Sequence, residues 1–284
     1  MSKVVQRLLT FFIGLPLVIG IVFLDYWNHM PINALACIVA AIAAGEMFNI
    51  FSRKNKLLPK GLLVVLSALL PLSSYFCIRF GHNVEYSIWL FLISGMILMA
   101  VEVFTHKTFE ESNTRLASSL FVIFYCGFLL TFISRITLFA ESTKFLALFL
   151  FTVFMNDSLA WLFGVLLGKN NRNVFAASPN KSIAGFIGGF IGAIGSCILA
   201  QIIWPEIFSS EYGLFAGVIL GFFSACASIT GDLIESVMKR SAEIKDSGNI
   251  IPGRGGILDS IDSIVFAAPV FYVCVHFLFH PELM

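Results

Sequence analysis

Nine apolar stretches, at residues 8–24, 31–51, 61–78, 86–104, 116–134, 145–168, 183–204, 213–231 and 261–279, alternate with short polar connections along this chain. Each approaches or meets the ~20 apolar residues that a helix needs to cross a bilayer. The fold class expected is therefore all-α, a polytopic membrane protein with about nine transmembrane helices. Composition agrees, with 58% hydrophobic and 12% charged residues, where a soluble domain carries about 25% charged. The first stretch follows Lys3 and Arg7, as in a signal peptide. No small-residue cleavage site succeeds it; Asp25-Tyr26-Trp27-Asn28 does, so an uncleaved anchor is expected. A formal net charge of +1 carries no footprint of nucleic-acid binding. Cys37, Cys77, Cys126, Cys197, Cys226 and Cys274 all lie in apolar stretches, where they act as small hydrophobes rather than as a disulfide framework.

The loops set an orientation. With the N-terminus in the cytoplasm, the outer loops hold only Arg79, Arg135 and Lys144 of the 18 lysines and arginines, and the inner loops hold the rest. That is the positive-inside pattern, and it holds for nine spans. The expected location is the cell's inner (cytoplasmic) membrane, with the polar clusters described below facing the cytoplasm.

Those clusters gather late in the chain. Residues 1–144 read as a transmembrane scaffold (spans one to five), and residues 145–284 as a catalytic half (spans six to nine). In the scaffold, Glu46 and Glu102 lie near the cytoplasmic ends of spans two and four, where an acid reaches the interface or pairs with a neighbouring helix. In the second half, Asp157 sits twelve residues before Lys169, about 18 Å along a helix at ~1.5 Å per residue. At that depth it faces a polar cavity or makes a helix-to-helix hydrogen bond. The loop Lys169–Ser182 ends in Ser178-Pro179-Asn180-Lys181-Ser182. Ser182 is suited to cap the next helix, whose positive end beside Lys181 suits a phosphate; Lys181 as a plain interface anchor is the simpler alternative.

The densest polar run is 231–262, GDLIESVMKRSAEIKDSGNIIPGRGGILDSID. A charge near hydrocarbon costs roughly 2.5–3.5 kcal/mol on insertion scales, so such a concentration implies a use. If the eighth helix continues through its start, Asp232, Glu235 and Lys239 share a face, with Ser236 and Arg240 beside them. Asp259 and Asp262 repeat the three-residue spacing at the start of the ninth. Two acid pairs at the mouths of two helices, joined by a Gly-Pro loop, make a candidate site for a hard cation; a structural salt-bridge network is the alternative. His29, His82, His106, His276 and His280 all lie outside these clusters, which disfavours zinc hydrolysis and His-dependent nucleophiles.

Ser236-x-x-Lys239-Arg240, Lys245-Asp246-Ser247-Gly248, Pro252-Gly253-x-Gly255-Gly256 and Asp259-x-x-Asp262 follow in the order and spacing of the phosphatidate cytidylyltransferase (CDP-diacylglycerol synthase) signature. Asp157-Ser158, Ser178-Pro179-x-Lys181-Ser182 and Gly45-Glu46 also resemble that family. The likeness is close in the C-terminal half and mainly topological before it. Two positions depart: Arg254 stands where the family has histidine, and Ser260 where it has arginine. The resemblance implies cytidylyl transfer from CTP to phosphatidic acid, a membrane lipid, with Mg²⁺ as cofactor and room for a second, monovalent cation and for a homodimer. It assigns catalysis to Lys239, Arg240, Asp246 and Asp259. Substrate binding falls to Ser178, Lys181, Ser182, Ser236, Lys245, Gly253, Arg254, Gly255 and Gly256. The metal falls to Asp232, Asp246, Asp259 and Asp262, with Asp157 and Glu235 as further candidates. A CTP-dependent lipid-alcohol kinase and an ion-coupled transporter are the alternatives. Transport predicts broken spans and mid-bilayer charges in both halves, whereas the acids here gather at one end of one half.

Overall fold

A computed structural model describes Gly14 and residues 16–282, and within them the chain is helical. Among the described residues, eight segments are long and apolar enough to cross a membrane. They match the last eight of the nine expected spans; of the first, 8–24, residues 8–13 and 15 lie outside the described residues, and residues 16–22 are helical. The chain packs as two compact units. One holds the residues up to Thr137 together with Met238–Ile261; the other holds Leu138–Val237 and the chain from Asp262 onward. This division is one of packing; the functional division expected at 144/145 concerns a different property.

In the first unit, α1 (Tyr26–Phe51) lies along α2 (Lys60–Arg79), followed by α3 (Tyr86–Thr105). Trp27, Asn28 and His29 open α1 in the left-handed region, at φ 54°, 54° and 55°. Each such residue costs roughly 1–2 kcal/mol. The Asn33 amide offsets part of this by donating to the freed carbonyls of His29 (3.0 Å) and Asn28 (3.2 Å). The next span, Ser112–Ile136, is composite: α4 (Ser112–Ile123), a π-helical turn at Phe124–Phe128, and α5 (Thr131–Ile136). The widened turn sets Gly127 on α2, where a Cβ would overlap the Ser67 backbone. Glu102 of α3 pairs with a helix neighbour as expected, accepting from Arg115 Nη1 at 2.6 Å and Ser112 Oγ at 2.5 Å.

The second unit contains α6 (Ser142–Leu166), α7 (Ile183–Ile203) and most of α8 (Leu214–Ser241) and α9 (Leu258–Phe279). Side chains do not separate α6 from α7. Gly185, Gly188, Gly189 and Gly192 press the α7 backbone against residues 155–160 of α6, the small-residue packing that membrane helices use where no hydrophobic effect drives them together. Aromatic side chains fill the remaining core: Phe145 meets Phe139 at a tilt and Phe208 edge to face, and Phe149 meets Phe271.

Candidate active site

α8 does not stop where its apolar run ends. It continues to Ser241, so Asp232, Glu235 and Lys239 stand on regular helix with the spacing that puts them on one side. α9 starts at Leu258, which places Asp259 in its first turn. The polar residues on these two helices fall into two clusters, one in each packing unit.

The first cluster is built around Asp259, whose side chain is 6% exposed. Lys239 donates to its Oδ1 at 2.6 Å. Its Oδ2 accepts from the Ser247 N–H at 2.8 Å, the Ser247 hydroxyl at 2.9 Å and the Gly256 N–H at 2.7 Å. Four donors thus tie the loop to α8 through one carboxylate, each charge-assisted bond being roughly twice as strong as a neutral one. Between these anchors the loop folds on itself. The Ile251 and Gly255 backbones exchange hydrogen bonds at 2.7 and 3.0 Å, and the turn between them needs glycine at 253 and 255, where φ is 78° and 117°. Lys245, Asp246 and Arg254 project from the loop surface, exposed. Arg240 turns its guanidinium to the Ile244 carbonyl at 3.3 Å. Ahead of the loop, Lys54 donates to Glu243 at 2.6 Å, and this bond holds the Glu243 carboxyl below its ordinary value.

A further acid completes this cluster, one that the sequence marked as an acid near the cytoplasmic end of a span and as a family-like residue, without a role in the site. Glu46 of α1, 5% exposed, accepts from the Ser247 hydroxyl at 3.0 Å and from the N–H groups of Ile257 at 3.0 Å and Leu258 at 2.8 Å. Its signals in the sequence were an acid inside an apolar span and the family-like Gly45-Glu46 pair.

The second cluster gathers Asp157 of α6, Asp232 and Glu235 of α8, and Asp262 of α9. The charges that act on Asp262 are those of Asp232, Glu235 and Asp157. Gly231 makes this convergence possible, because a Cβ there would overlap the Asp262 carbonyl and Phe266. Glu235 is fully buried, Asp232 and Asp262 are half-buried, and Asp157 is exposed on its helix. Lys181 forms an ion pair with Asp232, so it does more than anchor the helix at an interface. Ser182 caps α7 as expected, accepting from the Gly185 N–H at 3.1 Å. Ser178 is half-buried in the loop before it, and Ser236 is buried on α8.

The acids named as metal candidates therefore divide. Asp157, Asp232, Glu235 and Asp262 are together; Asp259 is engaged by the loop and Lys239; Asp246 is exposed on the loop. Among the described residues, no three His, Cys, Asp or Glu converge into a ready-made metal cage. The second cluster nonetheless fits Mg²⁺ by its chemistry. Its donors are hard carboxylate oxygens, like charges gathered in a low dielectric favour a cation, and Mg²⁺ commonly takes one or two carboxylates and fills its other positions with water and substrate phosphate.

Carboxylates beside lysines and a glycine turn, at the ends of membrane helices, are equipment for handling phosphates. The profile of the cytidylyltransferase family matches residues 5–278. The chain belongs to this family. Among its relatives, the phosphatidate cytidylyltransferase of Bacillus subtilis is 31% identical over 270 residues, 94% of this chain and 96% of its own. That of Synechocystis is 27% identical over 297 residues, 95% and 96% of the two chains. That of Aquifex aeolicus is 32% identical over 183 residues, 64% and 65% of the two. A member of the cytidylyltransferase family moves a cytidylyl group onto an acceptor phosphate, and both clusters suit that task. One concentrates negative charge; the other holds a loop that bears lysine and arginine.

Proposed function

We propose that this multi-pass membrane protein is a phosphatidate cytidylyltransferase, converting CTP and phosphatidic acid to CDP-diacylglycerol and pyrophosphate. The observation that carries this reading is the end-to-end match to relatives of that name, in a chain whose polar residues gather at the ends of α8 and α9. An oxygen of the lipid phosphate attacks the α-phosphorus of CTP; the new P–O bond forms as the bond to the β-phosphate oxygen breaks, and pyrophosphate departs. The attacking phosphate is already ionised, so no strong base is required. The obstacle is the approach of two polyanions, which positioned cations remove.

In this reading Lys181, Lys239, Lys245, Arg240 and Arg254 hold phosphate oxygens, and the loop's backbone N–H groups line the nucleotide. Asp157, Asp232, Glu235 and Asp262 would hold Mg²⁺, which when bound neutralises charge on the triphosphate. Lys181, ion-paired with Asp232, offsets part of the negative charge of this cluster and would hold a phosphate oxygen beside it. The polar ends of α8 and α9 face the cytoplasm, where CTP is made, and the membrane is the cell's inner membrane.

The test is incubation of purified protein with phosphatidic acid and CTP labelled at either the α- or the γ-phosphorus. The expected result is α-label in lipid and γ-label in pyrophosphate. γ-Label in lipid would identify a kinase instead, and label in neither would overturn the proposal.

A further inference from the structure

Glu46 needs an explanation that the transfer reaction does not itself provide. The N–H groups of Ile257 and Leu258, which it accepts, open α9. The first N–H groups of a helix have no partner within that helix, and their partial positive charge suits a carboxylate. Glu46 is thus a cap supplied to α9 by α1. Gly248 and Gly256 lie on either side of it, and a Cβ at either position would overlap its carboxylate oxygens. Those two glycines let the loop close over an acid, while Gly253 and Gly255 shape its turn.

The hydroxyl of Ser247 lies 3.0 Å from Glu46 Oε2 and 2.9 Å from Asp259 Oδ2, so its single proton is shared between the two carboxylates, while its N–H donates to Asp259 alone. Asp259 in turn holds Lys239. A continuous chain of hydrogen bonds therefore runs from Glu46 to a phosphate-binding lysine and to the loop that bears Lys245 and Arg254. We infer that Glu46 is a positioning residue for the transfer reaction, fixing this loop in its nucleotide-binding form without touching substrate. The inference rests on the reading of the protein as a phosphatidate cytidylyltransferase. A loop so rich in glycine has much conformational freedom to lose; with Glu46 in place it has lost that freedom before CTP arrives, and without Glu46 the loss falls on nucleotide binding.

The test is steady-state kinetics on the full chain in detergent micelles, with CTP and phosphatidic acid varied in turn. Glu46→Gln keeps the shape of the side chain but turns an amide NH₂ toward the loop's donors. It should lower kcat/KM for CTP about 100-fold, the scale of loss that an ångström of misplacement produces, by raising the KM for CTP while that for phosphatidic acid holds. Ser247→Ala should raise the KM for CTP less. The double variant should lose no more than Glu46→Gln alone, because both changes cut one linkage. Glu102→Gln serves as the control for plain destabilisation: it breaks the buried pair with Arg115 and should lower the thermal midpoint with the KM for CTP unchanged. A wild type that forms no CDP-lipid would overturn the reading of the reaction, and this inference with it. An active wild type whose Glu46→Gln variant keeps its KM for CTP would overturn the inference alone. If Glu46→Gln does not fold, Ser247→Ala decides: a raised KM for CTP supports the inference, and an unchanged one overturns it.

Discussion

Asp259 and Asp262 are three residues apart on α9 and opposite in circumstance. Asp259 satisfies four donors; Asp262 faces three other carboxylates and accepts the Ser263 N–H at 2.7 Å. Asn at position 259 removes the charge that Lys239 and the loop were built around, and breaking one side of a buried pair costs about 3–5 kcal/mol. Asp259→Asn should therefore lower both the thermal midpoint and turnover. Asp262→Asn removes one of several like charges and relieves repulsion. It should lower turnover about 100-fold, the scale of one lost electrostatic contact, while the midpoint holds or rises. Thermal unfolding and the label assay on both variants check the contrast; equal falls in midpoint would contradict it. Arg254 and Ser260, the two departures from the family pattern, allow a paired test. Arg254 is exposed on the glycine turn, where a charged hydrogen bond to phosphate is worth about 1.5–3 kcal/mol. Arg254→Ala should raise the KM for CTP at least ~10-fold, and adding Ser260→Arg should recover part of that loss in kinetics on the single and double variants.

The stripe of glycines on α7 makes the closeness of α6 and α7 testable. A Cβ at Gly192 would overlap the Met155 carbonyl, whereas one at Gly195 would meet nothing within 4 Å. Gly192→Ala should cost about 1–3 kcal/mol, the range for overpacking, and Gly195→Ala should be neutral or slightly stabilising; thermal unfolding in detergent separates them. The elements differ in how far the sequence revealed them. Spans were plain, because hydrocarbon demands a long uniform apolar run and little else produces one. The cap by Ser182 was equally plain, being local chemistry within three residues. The extension of α8 to Ser241 depended on a condition, since a charged helix looks like a loop until its partners are known. The π turn at Phe124–Phe128 left no mark, because the contact it serves, Gly127 against Ser67, is made with a different helix. For the same reason the acids could be listed but not sorted: only packing sends Asp259 to Lys239 and Asp262 to Asp157, Asp232 and Glu235.

For the whole molecule the proposed orientation is exposed to direct test. In a cysteine-free background, single cysteines at positions 54, 107, 172 and 249 should react with an impermeant reagent only from the cytoplasmic side, and those at 82 and 210 only from outside. Reaction of position 249 from outside would overturn the orientation. Activity should also vanish on chelation with EDTA and return with Mg²⁺; full activity in EDTA would sink the metal assignment. A last consequence concerns how such a molecule is made. The donors that Glu46 holds arrive 201, 211 and 212 residues after it. At about 5–20 residues per second, synthesis leaves that carboxylate waiting on the order of 10–40 s, with its helix already delivered to the membrane. An acid at such a position is tolerated only beside water or a partner, so its carboxylate keeps to the interface until the loop before the last span has been made. A nascent chain interrupted just before Ser247 has synthesised every earlier span, yet holds none of the three donors that this carboxylate accepts.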